Sequence, residues 1–235
     1  MNVVSIMAHQ DDEMRCLGAM LKCKARGDHL AFVTLTDGSA GFVQQPDIER
    51  AEAARVRHEE MASLARALDA QFINLREQDE YLYDTPQVRQ AVIEAIRKTQ
   101  ADLIFTHYCE DYNQDHITSY NLVRHCAMHS CLPVIPTASA PLQSHPAIFT
   151  VLPHGPFLFP ATHFVDVSDV EEKKIELLMN HRSQEKAMRA AVGQGFEHLC
   201  RRPDAYWGDQ VGCAYAECFA SMRGRGAIKP WSVLP

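Results

Sequence analysis

The sequence predicts an α/β fold with a Rossmann-like, mostly parallel sheet flanked by helices, in one domain over residues 1–235. Short apolar runs alternate with longer amphipathic stretches through the first half of the chain. This alternation is typical of βαβ units and a parallel sheet. The 235-residue length and 46% hydrophobic composition fit one large α/β domain. The chain contains no internal repeat that would indicate a repeat architecture.

The elements of the first half follow in a regular order. Apolar runs predict four strands, at residues 3–8, 29–36, 72–75 and 103–106. Helices are predicted at residues 13–26, 47–68 and 85–100, and from about Asp115 onward. A doubly wound sheet of strand order 3-2-1-4 would place the first and fourth strands side by side. The carboxyl ends of these two strands would then share one crevice.

The second half is less regular. Seven prolines between Leu132 and Pro160 exclude helix from most of that segment and predict a long irregular excursion. Such a loop forms either a lid or binding wall, or a structural wrap without ligand contact. A short strand at 164–167 and a helix over 168–190 are predicted next. The remainder, rich in Gly, Arg and Cys, gives no assignable pattern.

Charge and composition exclude several classes of partner. A formal net charge of -7 and a pI near 5.9 argue against nucleic acid and anionic membranes. The apolar run at the N-terminus is short and meets acids at residues 11–13, so we expect a buried strand there and not a signal peptide. No stretch is long enough for a membrane span. Eight scattered cysteines without a CxxC pair favour reduced thiols and a cytoplasmic protein.

Metal-ligating side chains follow the first and fourth predicted strands. His9 and Asp12 come directly after the first strand, and the fourth is followed by His107, Glu110, Asp111, Asn113, Asp115 and His116. Acids at a helix start are ordinary, and any single one of the 12 histidines has a structural explanation. Their joint occurrence at two neighbouring strand ends instead predicts a catalytic zinc site with three protein ligands and an open position.

The segments AHQDDE and EDYNQDH resemble the paired signature of the LmbE-like or PIG-L family of zinc-dependent N-deacetylases. Weaker matches cover most of the chain: TLTDGSAG, Arg57 with Glu60, Asp79, VDVSD, Lys174, HRSQ from His181, and YAECF. The family fold, a Rossmann-like α/β sheet, agrees with the fold predicted from periodicity.

By motif position, the resemblance implies that His9, Asp12 and His116 bind Zn²⁺ and that Asp11 is the general base. In this chemistry zinc lowers the pKa of its water toward about 7 and polarises the amide carbonyl. The base accepts the water's proton, and acetate and an amine leave. A site of two histidines and one aspartate also accepts other divalent ions.

The resemblance also implies that Arg57 and Asp79 contact substrate hydroxyls. Each residue has a structural alternative. Arg57 is spaced to form an i,i+3 ion pair with Glu60 on a solvated helix face. Asp79 would be an ordinary loop acid. We further expect Gly38 and Gly41 to let the loop after the second strand turn near the crevice.

Asn113 departs from the family pattern, in which many members have histidine at this position. Asparagine donates a hydrogen bond to an oxyanion but delivers no proton at neutral pH. We therefore expect Asn113 to keep an electrostatic role. Protonation of the amine would fall to Asp11 or to His154 in the proline-rich segment, with an ordinary loop histidine as the alternative. His181 is expected to buttress the site.

These observations predict a hydrolase that removes an N-acetyl group from an amino-sugar-containing small molecule, such as a secondary-metabolite, thiol-glycoside or glycolipid precursor. One alternative is a zinc amidase that cleaves another amide, such as a thiol conjugate. A second is a non-catalytic nucleotide-binding α/β module, against which the absence of GxGxxG after the first strand counts. The oligomeric state stays open, although relatives in the family often form homo-oligomers.

Overall fold

The computed structural model of the protein describes residues 1–222, so the end of the predicted 1–235 domain lies outside the described residues. The described part contains one sheet in the order β3-β2-β1-β4-β5-β7-β6. Its strands are β1 (Asn2–Met7), β2 (His29–Thr36), β3 (Gln71–Glu77), β4 (Leu103–Thr106), β5 (Ala147–Val151), β6 (His163–Asp166) and β7 (Ala216–Ser221). The helices are α1 (Leu17–Ala25), α2 (Arg50–Ala67), α3 (Pro86–Lys98), α4 (Gln114–His129), α5 (Glu171–Leu178), α6 (Arg182–Val192) and α7 (Phe196–Val211).

The sheet is mostly parallel. Strands β3, β2, β1, β4 and β5 pair in parallel, and β7 is antiparallel to both β5 and β6. This arrangement confirms the predicted α/β class and the order 3-2-1-4 of the first four strands. The carboxyl ends of β1 and β4 therefore lie at the same edge of the sheet, side by side.

Two apolar cores cover the two faces of the sheet. Alternate residues of β1 point to opposite faces, so Val3 and Met7 join one core while Val4 and Ile6 join the other. The first core includes apolar residues of α1, α2, α5 and α7, and the second includes those of α3 and α4. Burial on both faces explains why the central strands are continuous apolar runs. None of the helices in residues 1–222 has the length and apolarity needed to cross a membrane.

Two helix predictions need correction, and one helix was not predicted. The predicted helix at 13–26 begins with a 3-10 turn over Asp12–Arg15, and α1 starts only at Leu17. The predicted helix at 168–190 is two helices, α5 and α6, because the chain breaks where the fully buried His181 turns inward. The unassigned remainder contains α7, which accommodates Pro203 inside the helix, and the strand β7.

The proline-rich segment is only partly irregular. Strand β5 lies inside it, pairing in parallel with β4, and the sequence prediction missed this strand. Residues 147–151 contain no proline and are apolar apart from Thr150, but they are short and flanked by prolines at 146 and 153. The rest of residues 132–160 contains no helix, as predicted.

Candidate metal centre and active-site cavity

The loop after β1 and the start of α4 bring three ligand atoms to one point. His9 Nδ1 lies 3.2 Å from His116 Nε2 and 3.2 Å from Asp12 Oδ2. His116 Nε2 lies 3.3 Å from Asp12 Oδ1. Ligands held at zinc distances in a tetrahedron are separated by about 3.3 Å, since each lies about 2.0–2.1 Å from the ion. The spacing of these three groups fits such an ion.

Neighbouring carboxylates orient both imidazoles. His9 Nε2 lies 3.0 Å from Asp79 Oδ1 and 3.6 Å from Asp115 Oδ2. His116 Nδ1 lies 3.1 Å from Asp111 Oδ1. The far nitrogen of each ring thus faces a carboxylate, and the two near nitrogens face Asp12 and each other. A bound divalent cation would be coordinated by the two near nitrogens and the Asp12 carboxylate together.

The electrostatics of the site favour positive charge. Burial opposes protonation of His116, but Asp12 and Asp111 outweigh it and raise the pKa of this imidazole to about 9. Burial also opposes the charge on Asp12, yet the histidines beside it hold the pKa of that carboxyl well below its usual range. The donor set of two imidazoles and one carboxylate therefore suits a divalent metal ion such as Zn²⁺.

His107 belongs to the cluster predicted after β4 but is placed differently. Its Nε2 accepts a hydrogen bond from the backbone N–H of Ala8 at 3.0 Å, so this nitrogen is not free to bind a metal. The ring stacks on His116 with centroids 3.9 Å apart. Burial and the adjacent His116 lower the pKa of His107 to about 4, which keeps the ring neutral. His107 therefore packs beneath a ligand position.

Asp11 lies beside the ligand set in a left-handed backbone conformation, with φ at 115°. Its backbone N–H donates to Glu13 Oε2 at 3.0 Å, and the other Glu13 oxygen lies 2.7 Å from His181 Nε2. His181 is fully buried behind this pair, a position that suits the buttressing role expected of it. Burial raises the pKa of Asp11 to about 6, although the adjacent Arg57 opposes this shift.

Arg57 is buried and directed at Asp11. Its Nη2 lies 2.9 Å from Asp11 Oδ1 and also donates to the carbonyl of Gln10. The alternative ion pair with Glu60 is longer, at 3.9 Å, and Glu60 instead accepts hydrogen bonds from Ser183. Arg57 lines the cavity described below, so its predicted contact with substrate stays a prediction, and its observed partner is Asp11.

Asp79 also serves the metal centre. One oxygen faces His9, and the other accepts a hydrogen bond from the backbone N–H of Ala40 at 2.7 Å. Asp79 is therefore more than a loop acid, because one of its oxygens contacts His9, a candidate ligand. The same loop turns at Gly38, whose φ is 67°, and an added side chain there would collide with Gln10 and Arg57. The expected turn near the crevice is present.

Asn113 and His154 both line the cavity that contains His116. Asn113 caps α4, since its Oδ1 accepts from Asp115 N at 2.7 Å, and its Nδ2 donates to Glu80 Oε1 at 3.1 Å. The backbone N–H of His154 donates to Asp111 Oδ2 at 3.4 Å. Both residues line the cavity, as the sequence analysis expected of site residues.

A cavity of about 610 Å³ opens over the metal centre. The catalytic candidates line its polar end, and residues 154–157 of the proline-rich segment form part of its wall. The segment therefore includes a binding wall and is not only a structural wrap. The cavity also has an apolar lining, to which α6 contributes four side chains. This lining includes Val43, Phe157, Ala187, Met188, Ala191, Val192 and Leu199.

Sequence reasoning missed several residues of the site. Arg15 contacts His154, Glu80 contacts Asn113, and the ring of Tyr112 lines the cavity. No spacing pattern marks Arg15 or Glu80, because their partners are distant in the chain. Tyr112 lies between Asp111 and Asn113 of the predicted cluster, and its place inside that motif was the available signal.

The sequence profile of the PIG-L family, described as GlcNAc-PI de-N-acetylase, matches residues 4–127. This segment is more than half of the 235-residue chain and contains all three facing ligands and Asp11. The chain belongs to the PIG-L family. Membership assigns this PIG-L protein to the N-deacetylases, which hydrolyse amide bonds. A search of curated proteins gave no match.

Solved structures with the same fold include both deacetylases and other proteins. The PIG-L protein is similar to N,N'-diacetylchitobiose deacetylase from Pyrococcus horikoshii, with 24% identity, a TM-score of 0.80, and coverage of 94% of this chain and 83% of that one. The conserved protein TT1542 from Thermus thermophilus has 24% identity, a TM-score of 0.79 and 99% coverage of both chains. The 4-carboxy-2-hydroxymuconate hydratase GalB of Pseudomonas putida has 19% identity, a TM-score of 0.80 and coverage of 98% and 100%. At these identities the comparisons establish the fold.

Proposed function

We propose that this protein is a metal-dependent N-deacetylase that removes the acetyl group from an amino-sugar-containing small molecule. The observation that carries the proposal is the convergence of His9, Asp12 and His116 on one point, beside Asp11, in a PIG-L family chain. These three residues would hold Zn²⁺, and Asp11 would be the general base. The bound ion would act as a Lewis acid, lowering the pKa of a water molecule and polarising the amide carbonyl.

The residues of the chain account for the proton movements. Asp11 accepts a proton from the attacking water as the new C–O bond forms. The C–N bond of the amide then breaks, and the proton passes from Asp11 to the departing nitrogen. The products are acetic acid and an amine, and the acid then passes its proton to the amine to give acetate and an ammonium group, so atoms and charge balance. Arg57, within 2.9 Å of Asp11, orients the carboxylate for both transfers.

The cavity supports a sugar as substrate. Glu80 and Asn113 present a carboxylate and a carboxamide at its rim, groups that hydrogen-bond to hydroxyls. The Tyr112 side chain is 72% exposed and lines the same rim, where its ring offers a face to the apolar side of a pyranose. The chitobiose deacetylase among the similar structures is named for an acetylated amino sugar.

Acetate release tests the proposal directly. The zinc-loaded protein is screened against N-acetylglucosamine, N,N'-diacetylchitobiose, N-acetylglucosaminyl thiol-glycosides and N-acetylglucosaminyl lipids, with Asp11→Asn as the matched control. We expect turnover of at least one sugar, and a loss of about 10²–10⁴-fold in kcat for Asp11→Asn with zinc affinity retained. Equal rates for the control would show that Asp11 is not the base.

Two further arms of the panel address other reactions. Acylated thiol conjugates without a sugar test the zinc amidase alternative. Because one similar structure is a hydratase, 4-carboxy-2-hydroxymuconate is also included. Conversion of either compound, without acetate release from any sugar, would contradict the proposed substrate class.

The cysteines support a reducing compartment. All eight cysteines of the chain lie in the described residues, and all are free thiols. We therefore propose a cytoplasmic location, in keeping with the scarcity of disulfides in reducing compartments. A fractionation experiment that recovers the native protein only outside the cytoplasm would contradict this.

A further inference from the structure

We propose that His154 is a catalytic hydrogen-bond donor, whose Nε2–H binds the carbonyl oxygen of the scissile amide as negative charge develops on it. Arg15 is the positioning residue that fixes this donor. The inference rests on the proposed function, since it concerns the same reaction. It differs from the sequence-based expectation, which counted His154 as substrate-binding and named it, beside Asp11, as one of two candidates for protonating the amine.

The contact with Arg15 determines which nitrogen of His154 carries the proton. Arg15 Nη2 lies 3.1 Å from His154 Nδ1. A guanidinium has only donors, so Nδ1 must accept with its lone pair. The single proton of the neutral ring is therefore on Nε2. Burial and the charge of Arg15 lower the pKa of His154 to about 3, so the ring stays neutral at physiological pH.

The donor is held beside the metal ligands. Asp111 accepts from the His154 backbone through Oδ2 and contacts His116 through Oδ1. One carboxylate thus fixes His154 relative to a ligand position, and the two imidazole centroids are 6.3 Å apart. His154 lines the cavity, and its Nε2 makes no hydrogen bond to any group of residues 1–222. The N–H is available to a substrate.

Arg15 reaches His154 from a fixed position. It is the last residue of the 3-10 turn that begins with Asp12, and its Nη1 donates to the carbonyl of Leu199 at 3.0 Å. The guanidinium therefore joins the ligand loop, the start of α7 and the proline-rich segment. It is absent from the residues that line the cavity. Of its two hydrogen-bond partners, His154 and Leu199, only His154 offers a polar side chain to the cavity.

A neutral, fixed N–H is suited to stabilise an oxyanion. Such a donor keeps its orientation during the reaction, which is why the removal of one oxyanion donor costs about 10²–10³-fold in kcat. Asn113, which also lines the cavity, carries no titratable proton, and its carboxamide is oriented by the α4 cap and Glu80. The cavity therefore has a strong preformed donor at His154 without an imidazolium.

Kinetics of His154 variants test the donor role. Glutamine keeps an N–H donor but never titrates, whereas alanine removes the donor. On a sugar that passes the acetate-release screen, we expect His154→Ala to lose about 10²–10³-fold in kcat with little change in KM. His154→Gln should stay within about 10-fold of the parent. Parent-like turnover by His154→Ala, or equal losses in both variants, would overturn the proposal.

Nitrogen-15 NMR of histidine-labelled, zinc-loaded protein tests the tautomer without any substrate. We expect a protonated Nε2 and an unprotonated Nδ1 for His154, assigned by loss of its signals in His154→Gln. In Arg15→Met, which lacks a donor, we expect His154 to populate both neutral tautomers and kcat to fall. Arg15→Lys, which keeps a donor, should restore the Nε2–H tautomer and kcat.

The inference would be overturned if His154 of the parent protein carried its proton on Nδ1. It would also be overturned if Arg15→Lys restored neither the tautomer nor kcat. The two proposals fail separately. With the Nε2–H tautomer observed but no acetylated sugar turned over, the failure belongs to the proposed function.

Discussion

Asp11, the proposed general base, has an unusual backbone conformation. Its left-handed φ of 115° is unfavourable for a residue with a side chain. The carboxylate of Glu13 compensates by accepting the Asp11 N–H, and His181 holds Glu13 from the opposite side. The direction of the Asp11 carboxylate therefore depends on Glu13 and His181, whose side chains make no hydrogen bond to His9, Asp12 or His116 and do not line the cavity.

Replacing Glu13 separates this positioning effect from metal binding. Glu13→Ala leaves two buried donors unpaired, which costs about 1–3 kcal/mol for each group, and frees the Asp11 backbone. We expect kcat to fall about 10–100-fold with zinc affinity unchanged, as measured by acetate release and competition with a chelator.

Glu13→Gln is the matched control. The amide oxygen still accepts from Asp11, and its NH₂ group is satisfied if His181 moves its proton to Nδ1. We expect this variant to lose less than about 10-fold in kcat. An alanine variant as active as the glutamine variant would show that other contacts fix Asp11.

At the scale of elements, a buried charge cluster fixes the start of α1. Glu217 on β7 accepts from the backbone N–H groups of Gly18 and Ala19, at 2.9 Å and 2.7 Å. An anion at this position also interacts favourably with the helix dipole. Lys174 on α5 lies 2.8 Å from Glu217 and 2.5 Å from Asp204 on α7. Four elements thus meet around one lysine.

Glu217→Gln should destabilise the protein strongly. The glutamine NH₂ would face backbone N–H groups or the Lys174 ammonium, and a buried charge would lose its partner. We expect the free energy of unfolding to fall by about 3–5 kcal/mol in urea titrations. The control is Glu176→Gln on the same helix as Lys174, where an exposed pair should change stability by less than about 0.5 kcal/mol. Equal effects would contradict the capping role.

Glu171, in the first turn of α5, makes stability depend on pH. Both of its oxygens are buried without a hydrogen bond within residues 1–222, and Lys174 Nζ is 4.0 Å away. Burial, opposed by Lys174, raises the pKa of Glu171 from 4.5 to about 7. The folded state therefore holds this proton more tightly than the unfolded state. The stabilisation is complete below about pH 4.5 and is lost as pH rises through about 7.

We expect the contribution of Glu171 to the free energy of unfolding to fall by about 2 kcal/mol between pH 5 and pH 8. Glu171→Gln should flatten the profile and be more stable than the parent at pH 8. Urea titrations at both pH values measure this difference. A variant with the slope of the parent would exclude Glu171 as the titrating group.

The elements differ in how far the sequence predicts them. Strands β1 to β4 are buried on both faces and separated by long helices, so apolar runs locate them and the winding rule orders them. Strand β5 was missed because prolines flank it, and helix α7 because Pro203 lies inside it. Pairing with β4 and β7 stabilises the strand, and packing against the sheet stabilises the helix. The His9–Asp12–His116 set follows from the adjacency of β1 and β4. The contacts of Arg15 and Glu13 join residues distant in sequence, which no local pattern encodes.

At the scale of the whole molecule, metal binding should be linked to folding. A site that exists only in the folded state stabilises that state when its ion binds, by about 2.7 kcal/mol at 100 times Kd. We expect added zinc to raise the Tm and a chelator to reverse the rise, as measured by calorimetry. Asp12→Asn removes the anionic ligand and should abolish most of the shift. A shift of parental size in this variant would place the zinc elsewhere.

The wall that α6 contributes to the cavity has an evolutionary implication. The ligand set comes from the ends of β1 and β4, whereas the apolar wall comes from a surface helix with Val192 exposed by 61%. Substitutions along α6 change the cavity volume available to the non-reacting part of a substrate. They leave His9, Asp11, Asp12 and His116 unchanged. Proteins that descend from one ancestral fold can therefore diverge in substrate specificity while they catalyse the same reaction.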